Sequence, residues 1–313
     1  MRKRKRARFL LAAALVIVMS NFLLNQNVTQ TRHRISSPRI PKEFDGFVIV
    51  QISDLHSASN KGFCNRILEK VESLRPDLIV LTGDLVDSAV YAKEAALIDK
   101  GRQEGYPGQA TAEFTRALTG MAPVYYVYGN HEMILLDDPK NNFFKVSLEE
   151  MGVRIANNEV FLLQEGDAAI QLAGIQDPAT LYKDPVLADS GSNTRERTRA
   201  MLEHLAADID LRIFTILVAH RPEYIDLYAD SAIDLVLAGH AHGGQVRLPF
   251  MREGLYAPNQ GFLPHYTNGL YRKGPTAMVV SRGLGNSVFP LRILNRPELA
   301  IIELTNIPSD DIL

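Results

Sequence analysis

The chain has 313 residues, 46% of which are apolar, so it can bury a large core in one domain or in two small ones. Its 34 Lys and Arg residues are balanced by 36 Asp and Glu residues. This balance gives no sign of a strongly basic face, so we expect no stable nucleic-acid partner, although a nucleotide substrate is not excluded. Cys64 is the single cysteine, which excludes an intramolecular disulfide and a metal site built from several thiolates.

The first 24 residues have the composition of a membrane-targeting segment. Six basic residues lie between Arg2 and Arg8, and an apolar run follows from Phe9 to Leu24. Because no small-residue cleavage site follows this run, we expect residues 1–24 to form an uncleaved signal anchor. A cleaved signal peptide and a basic amphipathic or buried segment are the alternatives.

Either targeting segment leaves the basic end in the cytoplasm and places the rest of the chain outside it. We therefore expect a single-pass membrane protein with an extracytoplasmic catalytic domain, or an exported protein if the signal is cleaved. The N-terminal segment would make the contact with the membrane.

The rest of the chain is predicted to form a linker and one catalytic domain. Residues 25–45 are mostly polar, with Pro38 and Pro41 near the end, which predicts a linker. From residue 46 to residue 313, apolar runs alternate with helical patterns, which predicts an α/β domain with parallel strands. Residues 248–274 are rich in Pro, Gly and aromatic residues, and we expect a long irregular excursion of that domain there.

Five apolar runs of strand length end in residues that can bind metal ions. The runs are FVIVQIS, DLIVLTG, VYYVYG, FTILVA and IDLVLAG. The residues that follow them are, in chain order, Asp54, His56, Asp84, Asn130, His131, His220, His240 and His242. Because ligands bind at the carboxyl ends of the strands in open α/β sheets, we expect these side chains to meet in one crevice. Taken singly, each Asp or Asn could be an ordinary turn residue, but the joint pattern favours a site.

The types of side chain indicate which metal ions the crevice would bind. Carboxylate, imidazole and amide groups without sulfur suit divalent or trivalent first-row ions such as manganese, iron or zinc. The set is larger than one tetrahedral site needs, whereas two ions about 3.5–4 Å apart with one bridging carboxylate would use all of it. Such a pair binds phosphoryl oxygens and lowers the pKa of a bridging water.

The sequence also resembles a known family. The segments D-L-H at 54–56, G-D-L-V-D at 83–87, G-N-H-E at 129–132, His220 and G-H-A-H at 239–242 look like the five signature blocks of the calcineurin-like metallophosphoesterase superfamily. The segments G-H-A-H-G-G-Q at 239–245 and S-R-G-L-G at 281–285 are similar to its membrane-associated or exported branch, the YkuE/YaeI-like phosphodiesterases. The resemblance implies an α/β fold with two mixed β-sheets sandwiched by helices.

The resemblance implies a role for each predicted residue. Asp54, His56 and His242 would hold the first metal ion. Asn130, His220 and His240 would hold the second, and Asp84 would bridge both. His131 would bind no metal but would protonate the leaving oxygen as a general acid.

The implied reaction is the hydrolysis of phosphomonoesters or phosphodiesters by metal-bound hydroxide. Manganese is the expected metal, with iron or zinc as alternatives, and the substrate could be lipid-linked or nucleotide-linked. A UDP-2,3-diacylglucosamine-type pyrophosphatase that acts on a lipid precursor is one alternative, although its substrate lies in the cytoplasmic leaflet, which conflicts with the expected topology. A non-catalytic, metal-dependent binding module is another, and the presence of His131 argues against it.

Two interpretations remain open for each of three further residues. Glu132 and Asp87 could support a metal ligand or could simply begin a helix. Arg282 could bind a substrate phosphate or could form a surface ion pair.

Overall fold

The computed structural model describes residues 25–57, 60–136, 142–179, 193–286 and 292–307, together with the single residue Met19. The predicted signal anchor at residues 1–24 therefore lies outside the described residues, except for Met19. Across the described ranges, no helix combines the length and the apolar composition that crossing a membrane requires.

Strands and helices alternate over much of the described chain. The strands are, in chain order, β1 (Thr29–Ser36), β2 (Val48–Ile52), β3 (Leu78–Leu81), β4 (Val124–Tyr126), β5 (Arg154–Ile155), β6 (Glu159–Glu165), β7 (Ala168–Gly174), β8 (Thr215–Val218), β9 (Leu235–Ala238), β10 (Tyr256–Ala257), β11 (Gly261–Phe262), β12 (Gly269–Lys273), β13 (Thr276–Val280) and β14 (Glu298–Thr305). The α-helices are α1 (Lys61–Leu74), α2 (Ser88–Asp99), α3 (Gln109–Thr119), α4 (Asn130–Leu136), α5 (Asn142–Glu150), α6 (Thr194–Leu205) and α7 (Ile225–Asp230).

Two six-stranded mixed sheets form the framework of the described chain. The first sheet has the order β1-β14-β2-β3-β4-β5 and is parallel except between β14 and β2. The second has the order β12-β13-β9-β8-β7-β6, with parallel pairs in the middle and an antiparallel pair at each edge. The prediction of mixed sheets flanked by helices is confirmed, and the predicted parallel pairing holds for the central strands.

The central strands are apolar on both faces because both faces of each sheet are covered. The runs LIVL in β3, TILV in β8 and LVLA in β9 are buried at every residue. One apolar cluster lies between the sheets and contains Ile49 and Val80 from the first sheet and Ile216 from the second. Two further clusters pack α1 and α3 against the first sheet and α6 and α7 against the second. The layers therefore follow the order helix, sheet, sheet, helix.

The predicted linker at residues 25–45 is instead part of the fold over β1. Thr29–Ser36 pairs in parallel with β14 along its whole length and forms one edge of the first sheet. Its sequence, TQTRHRIS, is polar at most positions because an edge strand keeps much of its surface in contact with solvent. Because the segment contains no apolar run, its sequence pattern did not predict a strand. The other proposed domain boundaries stay predictions.

Gly174 at the end of β7 provides a test of how closely the two sheets approach. A Cβ atom at this residue would lie 2.0 Å from the backbone oxygen of Ala156 and 2.8 Å from Cγ1 of Val127. We expect Gly174→Ala to lower the free energy of unfolding by about 1–3 kcal/mol, because backbone would have to move. Urea unfolding monitored by circular dichroism measures this change.

Gly120→Ala is the matched control for this substitution. Gly120 has a φ of −77°, and the nearest atom to an added Cβ would be the Ala117 backbone oxygen at 3.5 Å, an ordinary contact distance. We expect a change within about 0.5 kcal/mol there. Equal unfolding midpoints for Gly174→Ala and the wild type would contradict the close approach of the sheets.

Candidate metal centre

The carboxyl ends of the central strands of both sheets meet at one edge of the molecule. In the loop after β2, Asp54 donates its backbone N–H to Gly83 O after β3, at 3.0 Å. His240 after β9 donates its backbone N–H to both carboxylate oxygens of Asp54, at 3.1 Å each. Gln51 in β2 also donates its side-chain amide to Ala238 O in β9, at 2.8 Å. The predicted crevice is thus formed between two sheets.

The structure brings seven of the eight predicted residues into three overlapping groups. Within each group, one candidate ligand atom per residue lies within 4.8 Å of the others. The groups are Asp54, His56 and His242; His56, Asp84 and His131; and Asp84, His220 and His240. Asn130, the eighth residue, begins α4 next to His131, and its Oδ1 atom is buried without a hydrogen-bond partner.

Backbone conformation turns these side chains toward one another. Five of the eight residues have a φ between 47° and 66°, in the left-handed region: Asp54, His56, Asp84, His240 and His242. For residues with a Cβ this conformation costs roughly 1–2 kcal/mol each. Strain of this kind collects at functional sites, where the surrounding structure enforces it. The local backbone is therefore consistent with a site built to hold a ligand.

The first group surrounds a point between Asp54, His56 and His242. His242 Nε2 lies 3.4 Å from Asp54 Oδ1 and 3.2 Å from His56 Nε2. His56 Nε2 lies 3.9 Å from Asp84 Oδ2. Two ligands that are each about 2.0–2.2 Å from one ion are separated by roughly 3.0–3.5 Å, so the spacing of these atoms fits a metal ion.

The third group, Asp84, His220 and His240, shows most directly that a cation fits. His220 Nδ1 lies 2.7 Å from Thr82 O, and His240 Nε2 lies 2.9 Å from Asn259 Oδ1. Each contact requires the proton on that nitrogen, which leaves lone pairs on His220 Nε2 and His240 Nδ1 in the neutral rings. These two atoms face each other at 3.0 Å, and His220 Nε2 lies 3.3 Å from Asp84 Oδ2. Two lone pairs and a carboxylate at this spacing are suited to a shared cation.

Electrostatics of the buried groups support the same conclusion. Burial by itself lowers the pKa of His220, but Asp84 and then Asp54 outweigh this effect and raise it to about 10. Burial lowers the pKa of His56 to about 4 and that of His240 to about 3, so these imidazoles are neutral, as metal ligands must be. The position beside Asp84 thus attracts positive charge, which a metal ion supplies when it displaces the proton of His220.

Glu132 supports the loops that carry the ligands. Its Oε2 accepts the backbone N–H groups of Asp84 at 2.9 Å and Gly129 at 2.8 Å. Its Oε1 accepts the backbone N–H of Val86 at 3.0 Å. The buried carboxylate therefore ties the loop after β3 to the start of α4. Of the two roles left open by the sequence, the structure favours support of the ligand loops.

Asp87 begins a helix, and Arg282 forms an ion pair. Asp87 is the N-cap of α2, and its carboxylate accepts the backbone N–H groups of Ala89 and Val90. Arg282 donates Nη2 to Glu298 at 3.1 Å, so its guanidinium is engaged in an ion pair, which is largely buried and does not lie on the surface as expected. Asp87 also lies 3.7 Å from His56 Nδ1, which places a negative charge beside the centre.

His131 lies at the edge of the centre, and 17% of its side chain is exposed. Its Nδ1 accepts the backbone N–H of Ser88 at 3.1 Å. In the neutral ring the proton is therefore on Nε2, at the other side of the imidazole. The backbone N–H of His131 donates to Asp84 Oδ1 at 2.9 Å, which fixes the residue beside the carboxylate that the second and third groups share.

Asn259 and Ser88 are site residues that sequence reasoning missed. Asn259 belongs to the excursion at residues 248–274 and has a φ of 60°, so the turn A-P-N-Q-G places its side chain against His240. That turn motif was the available signal, but it does not identify a partner 19 residues away. Ser88 follows the signature block and is the first residue of α2. Its backbone contact with His131 could not be predicted from the sequence, because every residue except proline has a backbone N–H.

Comparison with known proteins agrees with this geometry. The model of the calcineurin-like phosphoesterase family matches residues 47–244. The chain belongs to this family. The predicted family resemblance is therefore confirmed. Together with the side-chain groups, the family indicates a dinuclear metal site and a hydrolase that acts on phosphate esters.

Several relatives cover most of the chain. YkuE of Bacillus subtilis, an uncharacterised metallophosphoesterase, is 29% identical over 289 residues, which are 91% of this chain and 88% of YkuE. Phosphodiesterase YaeI of Escherichia coli is 26% identical over 230 residues, which are 74% of this chain and 71% of YaeI. Among solved structures, a dimetal phosphatase from Danio rerio has a TM-score of 0.47 and 12% identity over 77% of this chain and 88% of that chain, which adds nothing to the family assignment.

Asn259→Ala tests whether the excursion orients a metal ligand. The substitution removes the acceptor of His240 Nε2–H, so the ring is no longer held in the tautomer that directs Nδ1 inward. We expect the affinity for one of two Mn²⁺ ions to fall about 10–100-fold, the usual effect of removing such a partner. Titration calorimetry of the metal-stripped protein with Mn²⁺ measures both affinities. Asn259→Asp keeps an acceptor oxygen and should retain wild-type affinity; loss of affinity in both variants would contradict the role.

Proposed function

We propose that the protein hydrolyses phosphate esters, either diesters or monoesters, at a dinuclear metal centre that Asp84 bridges. The observation that carries this proposal is the position of the Asp84 carboxylate. Its Oδ2 lies 3.3 Å from His220 Nε2 in one group and 3.9 Å from His56 Nε2 in the other. A single oxygen between two sets of ligands is the arrangement that a bridged pair of ions uses.

Each ion has its own set of candidate ligands. Asp54, His56 and His242 would hold one ion, and Asn130, His220 and His240 would hold the other. When bound, the ions supply Lewis-acid activation of water and of the phosphoryl oxygens. The chain's contribution is to fix the ligands: Glu132 and the backbone hydrogen bonds between the loops hold them, and Thr82 and Asn259 set the tautomers of two histidines.

His131 is the proposed general acid. The acid form of the ring is the imidazolium, whose Nδ1–H can donate to Ser88 Oγ at 3.1 Å, so that Nε2–H is the proton to be transferred and the neutral ring remains. The partial exposure of the side chain gives a substrate access to that proton. Proton transfer from Nε2 to the leaving oxygen would stabilise the alcohol that departs, which matters most when that alcohol is a weak acid.

We also make proposals for the substrate class, the metal and the location of the protein. The name of the relative YaeI supports a phosphodiester substrate. We propose manganese as the metal, with iron or zinc as the alternatives, because the ligands are oxygen and imidazole nitrogen. We also propose that residues 1–24 anchor the protein in a membrane, with the catalytic domain outside the cytoplasm. A lipid-linked or nucleotide-linked phosphate ester would then be the natural substrate.

Asp84→Asn tests the bridge. An amide carries no negative charge and cannot serve two cations as a carboxylate does, so we expect at most one Mn²⁺ per chain instead of two. Hydrolysis of bis-p-nitrophenyl phosphate should fall by more than the roughly 10–100-fold that loss of an indirect partner causes. Elemental analysis of the purified protein and a colorimetric assay give the two values.

Asp234→Asn is the matched carboxylate control, because Asp234 pairs with Arg39 before β9, at the opposite end of the second sheet from the metal centre. It should keep two ions and wild-type turnover. Two ions in Asp84→Asn would contradict the bridging role. Two bound ions in the wild type without hydrolysis of any phosphate ester would favour the metal-dependent binding module instead.

His131→Ala tests the acid role. We expect both metal ions to be retained, because His131 is not among the proposed ligands. Turnover should fall about 10²–10⁴-fold for a phenyl ester, whose leaving group needs protonation, and much less for a p-nitrophenyl ester. Equal losses for the two esters would argue against a general acid.

Two substitutions at Ser88 separate the acid role from simple packing. Ser88→Pro removes the N–H that donates to His131 Nδ1, yet proline is compatible with the first position of α2. Its turnover should also fall more for the phenyl ester than for the p-nitrophenyl ester, but by a smaller factor than in His131→Ala. Ser88→Ala keeps the N–H but removes Oγ, which also lies 3.1 Å from His131 Nδ1, so its loss of turnover should be smaller than that of Ser88→Pro, which removes both contacts.

A further inference from the structure

Large apolar side chains are exposed together on the excursion at residues 248–274. Phe250 is fully exposed, Phe262 is 83% exposed and Leu263 is 63% exposed. Leu248 and Met251 are exposed on the same segment. Leu294 is exposed on a neighbouring loop, whose Ile293 pairs with Val246 just before the excursion. We call these six residues, Leu248, Phe250, Met251, Phe262, Leu263 and Leu294, the apolar rim. Exposed apolar surface of this kind marks a contact with a partner or a membrane.

The backbone holds part of the apolar rim in an unfavourable conformation. Phe250, Leu263 and Leu294 have φ values of 73°, 53° and 51°. In the described chain, every other non-glycine residue with a positive φ is polar, charged or the small Ala232. A bulky residue with a positive φ is a genuine outlier, so these side chains are exposed at a conformational cost. Such an outlier supports a functional role for the exposed side chain.

The apolar rim lies directly beside the metal centre. Gly254, within the same excursion, packs closely on Gly244. A Cβ atom added to Gly254 would lie 2.4 Å from Gly244 Cα. Gly244 ends the short turn that begins with the ligand His242. Asn259, between Tyr256 and Phe262, contacts the ligand His240 at 2.9 Å. A surface that the apolar rim contacts would therefore also face the metal centre.

The N-terminal segment joins the fold at the same place. Asn25 is the first residue of the continuous described chain, and its side chain donates to Arg292 O at 2.9 Å. Arg292 is two residues from Leu294 of the apolar rim. The preceding sequence, with its basic residues and its apolar run to Leu24, is therefore attached next to the apolar rim. Because we propose that residues 1–24 anchor the protein in a membrane, this attachment favours a bilayer over another protein as the surface that the apolar rim would meet.

We propose that the apolar rim inserts into the surface of an anionic phospholipid bilayer and turns the metal centre toward the membrane. Phe and Leu side chains would enter the region between headgroups and acyl chains, as in other interfacial proteins. Arg252 has 66% of its side chain exposed, although its Nε lies 3.5 Å from Glu253 Oε1 and its Nη2 donates to Leu270 O at 2.7 Å, so a lipid phosphate would meet only its remaining N–H groups. The substrate phosphate would then be at the depth of the headgroups. The choice of a bilayer rests on the proposed anchor at residues 1–24, and the position of the substrate phosphate rests on the proposed hydrolysis.

Single tryptophans test this orientation, because the chain contains no tryptophan. Phe250→Trp and Phe262→Trp are made in the full chain, which is reconstituted in vesicles of equal parts phosphatidylcholine and phosphatidylglycerol. We expect a blue-shifted emission and several-fold stronger quenching by lipids with brominated acyl chains than in the control variant. Circular dichroism confirms that each variant is folded. The readout requires no hydrolysis, so it stands or fails independently of the proposed function.

Leu211→Trp is the control, because Leu211 is 65% exposed and precedes β8, whose far end carries the ligand His220. Equal quenching in all three variants would overturn the proposal, since the protein would have no preferred face toward the bilayer. Quenching in none of them would overturn it as well. A blue shift without vesicles that grows with protein concentration would assign the apolar rim to self-association and also overturn it.

Discussion

The structure depends on one buried carboxylate, that of Asp84, at the place where two stacked sheets meet. The residue follows β3 of the first sheet, and its Oδ2 faces His220, which follows β8 of the second. Taking a carboxylate out of water costs several kcal/mol unless positive charge and hydrogen bonds compensate it. His131 N–H supplies one hydrogen bond, and Glu132 holds the Asp84 backbone, but Glu132 is itself an acid. A bound cation is the group that best offsets this concentration of negative charge.

Much of the remaining architecture can be understood from that requirement. The left-handed backbone at five candidate ligands aims side chains from several strands at one region, and the loops that carry them are hydrogen-bonded to one another across the sheets. Because these loops belong to different sheets, metal ions bound between them would link the two halves of the fold. Binding to the folded state alone would then stabilise the whole domain. The excursion at residues 248–274 joins the same network through Asn259, so it is part of the centre as well as a surface feature.

The sequence predicted the parts of this structure that leave a local signal. The runs that became β2, β3, β4, β8 and β9 are short, mostly apolar and followed by ligand-type residues, so both the strands and the crevice could be predicted. The edge strand β1 could not, because its polar residues follow no apolar pattern. The division of five similar strands between two sheets is not visible in their composition, and it came only from the family resemblance. Asn259 acts through one hydrogen bond and Ser88 through its N–H and its Oγ, and long-range contacts of that kind leave no periodicity to detect.

The central claim is that two ions share one oxygen of Asp84. Crystals grown with Mn²⁺ and measured near the manganese absorption edge would show the ions directly as anomalous difference peaks. We expect two peaks about 3.5–4 Å apart, one on each side of Asp84 Oδ2. A single peak, or two peaks of which one lies out of reach of Asp84, would contradict it.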